Sequence, residues 1–96
     1  MESIDHIAIQ VTDINQAIKT YTNKFDCEVL YTDSTWAMLK FDNINLALVL
    51  PSEHPPHIAF IDHNIKEGVT HRDGSKAKYE DDGFGNIIEK IKYKNG

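Results

Sequence analysis

Positive charge, cysteine, proline and long apolar runs are all scarce in this 96-residue chain. Ten Lys and Arg stand against fifteen Asp and Glu, a net charge of −5. That balance argues against a surface for nucleic acid or anionic membrane. The single cysteine, Cys27, excludes an internal disulfide framework, so the fold has to rest on packing or on metal. Following the helix predicted below, Cys27 reads as a small buried residue. No apolar run approaches the roughly 18 residues needed to cross a bilayer. The chain opens on a strand-like Ile4-Asp5-His6-Ile7-Ala8-Ile9 with no basic, apolar leader before it, and a cytoplasmic location is expected. Five glycines and three prolines make no low-complexity segment.

What remains is ordinary globular composition, 41% hydrophobic and 26% charged, enough for one domain over residues 1–96 with a modest core. Residues 3–11 alternate, with Ile7, Ile9 and Val11 on one face and His6, Ala8 and Gln10 on the other, which predicts a strand. Thr12 or Asp13 can cap a helix carrying Ile14, Ala17, Ile18, Tyr21 and Phe25 on one stripe. Strands are predicted over 27–32, 35–41 and 44–50, then 57–61, 69–71, 76–80 and 87–93. Asp42-Asn43 fits a two-residue hairpin. If Phe41 then opposes Ile44, Leu39 faces Leu46 and Ala37 faces Leu48 on a side for the helix to cover. Lys40 with Asn45, Met38 with Ala47 and Trp36 with Val49 form a second, mixed side.

Pro51, Pro55 and Pro56 mark a stiff connection. Beyond it, Pro56-His57-Ile58-Ala59-Phe60 repeats Asp5-His6-Ile7-Ala8-Ile9 with the histidines 51 positions apart. The order of elements around each suggests two βαβββ modules, about 3–50 and 57–94. Residues 62–68 leave room for a helical turn at most, so the second module lacks most of its helix.

His6 and His57 each point away from the apolar side of their strand. Glu89 shares a face with Ile87, Ile91 and Tyr93, while Lys90 and Lys92 point the other way. A carboxylate on an inward face is costly unless paired or bound to a cation. Two imidazoles and one carboxylate from three strands make an open divalent-metal site. Each histidine read alone is more often an ordinary hydrogen-bonded or surface one, and Glu89 can instead pair with a neighbouring lysine. His54, His63 and His71 read as solvated, and so does the turn at Asp81-Asp82. Gly83-Phe84-Gly85 precedes a strand and is too short to cradle phosphate.

The opening from Asp5 to Asp13 resembles the first strand of the vicinal oxygen chelate superfamily, the glyoxalase, bleomycin-resistance and extradiol-dioxygenase group. His57-Ile58-Ala59-Phe60 is similar to the start of that family's second module. Arg72-Asp73-Gly74-Ser75, followed by Asp82-Gly83-Phe84-Gly85-Asn86-Ile87-Ile88-Glu89, resembles its C-terminal hairpin, where Asp-Pro-x-Gly-Asn precedes a strand ending in Ile-Glu-Leu. The resemblance implies an α+β, glyoxalase-like fold of paired modules in a curled, partly open mixed sheet. It places metal ligands on His6, His57 and Glu89, with Glu89 also catalytic, and a divalent ion such as Fe, Mn, Ni or Zn as cofactor. The family's further ligand, a Glu or Gln, falls on Ala47, which cannot bind metal. Members similar to glyoxalase I or methylmalonyl-CoA epimerase use that position; two His and one Glu look more like the dioxygenase or fosfomycin-transferase branches.

The function expected is therefore that of a small metal-dependent enzyme, a lyase, isomerase or dioxygenase, chelating a substrate through vicinal oxygens. Gln10, Trp36, Met38, Ala47 and Tyr79 are the expected substrate-binding residues, with Lys40 and Asn45 at the rim hinting at a polar or anionic substrate group. Two other functions fit the same residues: sequestration of a small molecule without catalysis, as bleomycin-resistance proteins do, and a degenerate module kept for protein–protein contact. The short second module leaves Ile58, Phe60 and Ile88 facing water, from which a homodimer is expected.

Overall fold

The structure, a computed structural model, describes residues 1–65, 68–70 and 74–93. The chain divides into two compact units, one of His6–Pro56 and one of Met1–Asp5 with His57–Gly96. The division falls inside the first strand, between Asp5 and His6. His71, Arg72, Asp73 and Lys94 lie outside the described residues, with the readings that fell on them.

The first unit runs β1 (Ile4–Gln10), α1 (Ile14–Lys24), β2 (Glu28–Thr32), β3 (Trp36–Lys40) and β4 (Asn45–Val49). Its strands lie in the order β2-β3-β4-β1. Asp13 caps α1, accepting from the Gln16 N–H at 3.0 Å, and Ile14, Ala17, Ile18 and Tyr21 then face the sheet. The hairpin after Phe41 has the predicted register: Leu39 opposes Leu46, Met38 opposes Ala47, and Trp36 opposes Val49. Because strand side chains alternate, this one register builds two clusters. Ala37, Leu39 and Leu48 are buried under α1, and Ala8, Met38, Ala47 and Val49 are buried on the opposite face.

Two predicted core positions fall elsewhere. The cluster beneath α1 takes Ile9 and Val11 but stops short of Ile7, which is 39% exposed. Phe25 caps the helix C-terminus in an extended conformation and is 52% exposed, its ring lying near those of Tyr21 and Phe41. A third feature has no counterpart in simple alternation. Val29 pairs with Leu39 but Tyr31 with Met38, so a bulge at Leu30 turns Tyr31 onto the other face. There its ring stacks on Trp36 at 4.3 Å.

The second unit runs β5 (His57–Ile61), β6 (Val69–Thr70), β7 (Lys76–Asp81) and β8 (Ile87–Lys92), in the order β5-β8-β7-β6. Each unit thus holds one parallel pair, β1 with β4 and β5 with β8, in the same topological place. The repeated His-Ile-Ala lies in the equivalent strand each time, from the third residue of β1 and the first of β5. No helix occurs among the described residues of the second unit. The start of β1 is fixed to this unit: Ile61 N–H donates to the Ser3 carbonyl at 3.0 Å, and the Tyr93 hydroxyl donates to Asp5.

The tightest local device is the turn before β3. Asp33 accepts from the Tyr31 hydroxyl at 2.6 Å, from the N–H groups of Thr35 and Trp36, and from the Thr35 hydroxyl. Burial alone would raise its carboxyl, but these donors outweigh it and hold the group well below the usual carboxylate range. A depressed folded value means that the stabilisation is present above the unfolded value of about 3.9 and is lost as pH falls below it. Asp33→Ala is therefore expected to lower the urea midpoint at pH 7, and the gap from wild type should narrow as the titration is repeated towards pH 2.

Candidate functional site

In the second unit, the parallel register sets His57 beside Ile87 and Ala59 beside Glu89. The antiparallel register on the other side of β8 sets Tyr79 beside Glu89 and Ala77 beside Ile91. All of these share one face, and its small members, Ala59 and Ala77, are fully buried. The larger polar chains close over them. His57 Nε2 lies 3.0 Å from Glu89 Oε1, and both side chains are buried. The Tyr79 ring stands edge-on to the His57 ring, with centroids 5.4 Å apart at 88°. Its hydroxyl is hydrogen-bonded to the Glu89 carboxylate; burial first, then that neighbouring negative charge, pushes the phenol well above its usual range, so it stays a donor.

The cost of burying Glu89 is met here by polar chemistry. A carboxylate with 2% exposure demands partners, and an imidazole and a phenol are the ones packed against it. An imidazole nitrogen and a carboxylate oxygen at contact distance are also a matched pair of donors for a divalent cation. Sequence reasoning placed Glu89 and His57 on inward faces but did not see Tyr79 as the partner of both. The missing step was the register across residues 82–86. Asp82 ties that turn by accepting from the N–H groups of Phe84 and Asn86, and the first pair beyond it is Asp81 with Ile87. Counting two residues back along each strand reaches Tyr79 and Glu89.

In the first unit His6 is buried, on the face of β1 that also carries Ala8. Across the parallel pair it stands opposite Asn45, and Ala8 stands opposite Ala47. The position that lacks a ligating side chain is thus on the same face as His6, two residues along the neighbouring strand. Ala47 is buried against Ala8, Met38 and Val49, with Trp36 and Tyr31 packed on the cluster.

The remaining expected site residues separate by environment. Met38 and Ala47 are core, and Trp36 is half-buried against Tyr31. Gln10 is exposed, and its side-chain amide donates to the His54 carbonyl at 2.9 Å, tying β1 to the connection after β4. His54 itself is half-buried in that connection and not fully solvated as expected, whereas His63 is exposed. Cys27 is half-buried, a free thiol next to the helix end.

Comparison with curated protein sequences finds no match. Solved structures do match in fold. A methylmalonyl-CoA epimerase in complex with methylmalonyl-CoA and NH4+ superposes with a TM-score of 0.80 at 20% identity, covering 98% of this chain and 96% of that one. A Streptomyces coelicolor methylmalonyl-CoA epimerase variant, in complex with 2-nitronate-propionyl-CoA, gives 0.79 at 20% identity, covering 96% and 94%. A hypothetical protein from Bacillus halodurans C-125 gives 0.78 at 18% identity, covering 97% and 95%. At sequence level, residues 3–88 match the family profile described as the Glyoxalase/Bleomycin resistance protein/Dioxygenase superfamily. With repeated strand openings, paired topology and profile in agreement, the chain belongs to that superfamily.

Proposed function

We propose that this protein binds one divalent metal ion through His6, His57 and Glu89 and uses it to bind a small molecule presenting two adjacent oxygens. The observation that carries the proposal is the buried contact of His57 Nε2 with Glu89 Oε1 at 3.0 Å. An imidazole and a carboxylate suit Fe, Mn, Ni or Zn better than Mg or Ca, which prefer all-oxygen sets. His6 is the third donor in this reading because it is buried and opens the same His-Ile-Ala sequence as His57. Each of the three offers one ligand atom. Membership of the superfamily supports the same residues.

Bound there, a divalent ion would supply Lewis-acid stabilisation of negative charge on a chelated oxygen. The chain's own residues do the positioning. Tyr79 donates to Glu89 and fixes the carboxylate, while its ring edge limits rotation of the His57 imidazole. Ala47 contributes no donor, so three protein ligands leave positions open for a bidentate ligand. The epimerases that share the fold act on a coenzyme A thioester; a small acyl or dicarbonyl compound with vicinal oxygens is the class proposed for this chain, with isomerase chemistry as the enzymatic form. No helix among the described residues is long and apolar enough to cross a membrane, and the single free thiol suits the reducing cytoplasm proposed as its location.

Metal titration tests the ligand set. His6→Ala, His57→Ala and Glu89→Gln should each weaken binding of Mn, Ni or Zn at least tenfold, with His54→Ala and His63→Ala unchanged. Equal uptake by the triple variant and the wild type would overturn the proposal. Ala47→Glu should add a ligand, tightening binding and raising the coordination number seen in the cobalt-substituted protein's absorption spectrum; an unchanged spectrum in a folded variant would remove Ala47 from the metal's reach. Tyr79→Phe deletes the donor to Glu89 and should cost about 1.5–3 kcal/mol in urea unfolding, the range for hydrogen bonds to charged groups.

A further inference from the structure

The two units treat their second sheet face differently. In the first, α1 covers the face of Leu39, Leu46 and Leu48. In the second, the equivalent face lies opposite buried Ala59, Ala77 and Glu89 and carries Ile58, Phe60 and Ile88. Ile58 is 41% exposed, and Phe60 and Ile88 are only half-buried. The register places lysines beside this stripe: Lys90 next to Phe60 on one side and Lys78 on the other, with Lys76 opposite Lys92. Among the described residues, Glu80 is the acidic side chain that the register places on this face, held by Lys90 at 3.0 Å, and Asp62 also lies within electrostatic reach of Lys90. Among the described residues, four lysines against Glu80 and Asp62 leave this face at net +2 on a chain whose total is −5.

That charge decides between occupants. A second copy packed face to face about a two-fold axis would set one positive face against another, a like-charge juxtaposition that opposes association. An apolar stripe on a sheet is ordinarily covered by a helix, as in the first unit, where eleven residues with apolar positions at three- and four-residue spacing suffice. We infer that this face docks an amphipathic helix of a partner protein, about three turns long, whose apolar stripe seats on Ile58, Phe60 and Ile88 and whose carboxylates meet Lys76, Lys78 and Lys92. Burial would supply the affinity, and the charges would supply selectivity and on-rate. The inference uses no metal ligand, so it stands or falls apart from the proposed function.

The probe is a synthetic 18-residue amphipathic peptide with a leucine stripe flanked by glutamates, compared with the same peptide carrying lysines instead. Titrated into the full chain and followed by amide NMR and calorimetry, the glutamate peptide should bind at least tenfold more tightly than the lysine peptide. Shifts should concentrate on β5, β7 and β8, and affinity should fall as salt rises. Reversing charge with Lys76→Glu and Lys78→Glu, both exposed positions, should invert the preference while the thermal midpoint stays close to wild type. Equal binding of the two peptides, or shifts elsewhere, overturns the inference. Binding to vesicles containing phosphatidylglycerol without binding to the glutamate peptide would replace the helix with an anionic lipid surface. A dimer in sedimentation equilibrium that Phe60→Lys dissociates would replace it with a second copy.

Discussion

A carboxylate with 2% exposure, 3.0 Å from an imidazole nitrogen, is the constraint around which the second unit is arranged. An ion this far from water is destabilising by several kcal/mol unless its surroundings compensate. The compensation is local and comes from strand register. Parallel pairing of β5 with β8 puts His57 one step along from the Ala59–Glu89 pair, and antiparallel pairing of β7 puts Tyr79 directly alongside. A one-residue slip in either pairing would send His57 or Tyr79 to the opposite face and leave Glu89 buried without them. Alanines at 59 and 77 follow from the same constraint, since larger side chains would occupy the space that the imidazole and phenol need.

The first unit solves a simpler problem. Apart from His6 on the Ala8 face, its buried clusters are apolar, one closed by α1 and the other packed by the stacked rings of Tyr31 and Trp36. Two short-range devices set that arrangement. The bulge at Leu30 re-aims Tyr31, and the Asp33 carboxylate gathers four donors from the turn that follows. Neither is the work of hydrophobic burial alone. Together they place an aromatic pair over Ala8, Met38, Ala47 and Val49.

Much of this was legible in the sequence because its signals are periodic. The alternation along β1 and β8, the apolar stripe of α1 and the Asp42-Asn43 hairpin are all local, and the hairpin register they imply is the one observed in β3 and β4. The placement of Glu89 and His57 on inward faces follows from the same alternation. What escaped depends on counts that alternation does not carry. A bulge inserts one residue and reverses every face beyond it, so Tyr31 could not be placed by parity. Tyr79 needed the number of residues consumed by the turn at 82–86. Ile7 and Phe25 were expected in the core, but where α1 ends and what it reaches are tertiary facts; both residues have the spacing of buried ones and remain exposed.

Ala47 shows how the two kinds of information meet. Parity along β4 and the hairpin register place it on the face of His6, and the structure buries it between Ala8 and Met38. A carboxylate or amide at that position would need partners of its own, and its neighbours Ala8, Met38 and Val49 offer none from their side chains. An apolar residue there is therefore consistent with its surroundings and is not an isolated loss. The substitution belongs to an apolar cluster built on that face of the first unit, while the second unit concentrates its polar chemistry in His57, Tyr79 and Glu89. Two units of one topology have thus been given different tasks by alternating side chains on equivalent strands: one packs an apolar cluster beside a single buried imidazole, His6, and the other centres on a buried carboxylate with an imidazole and a phenol packed against it.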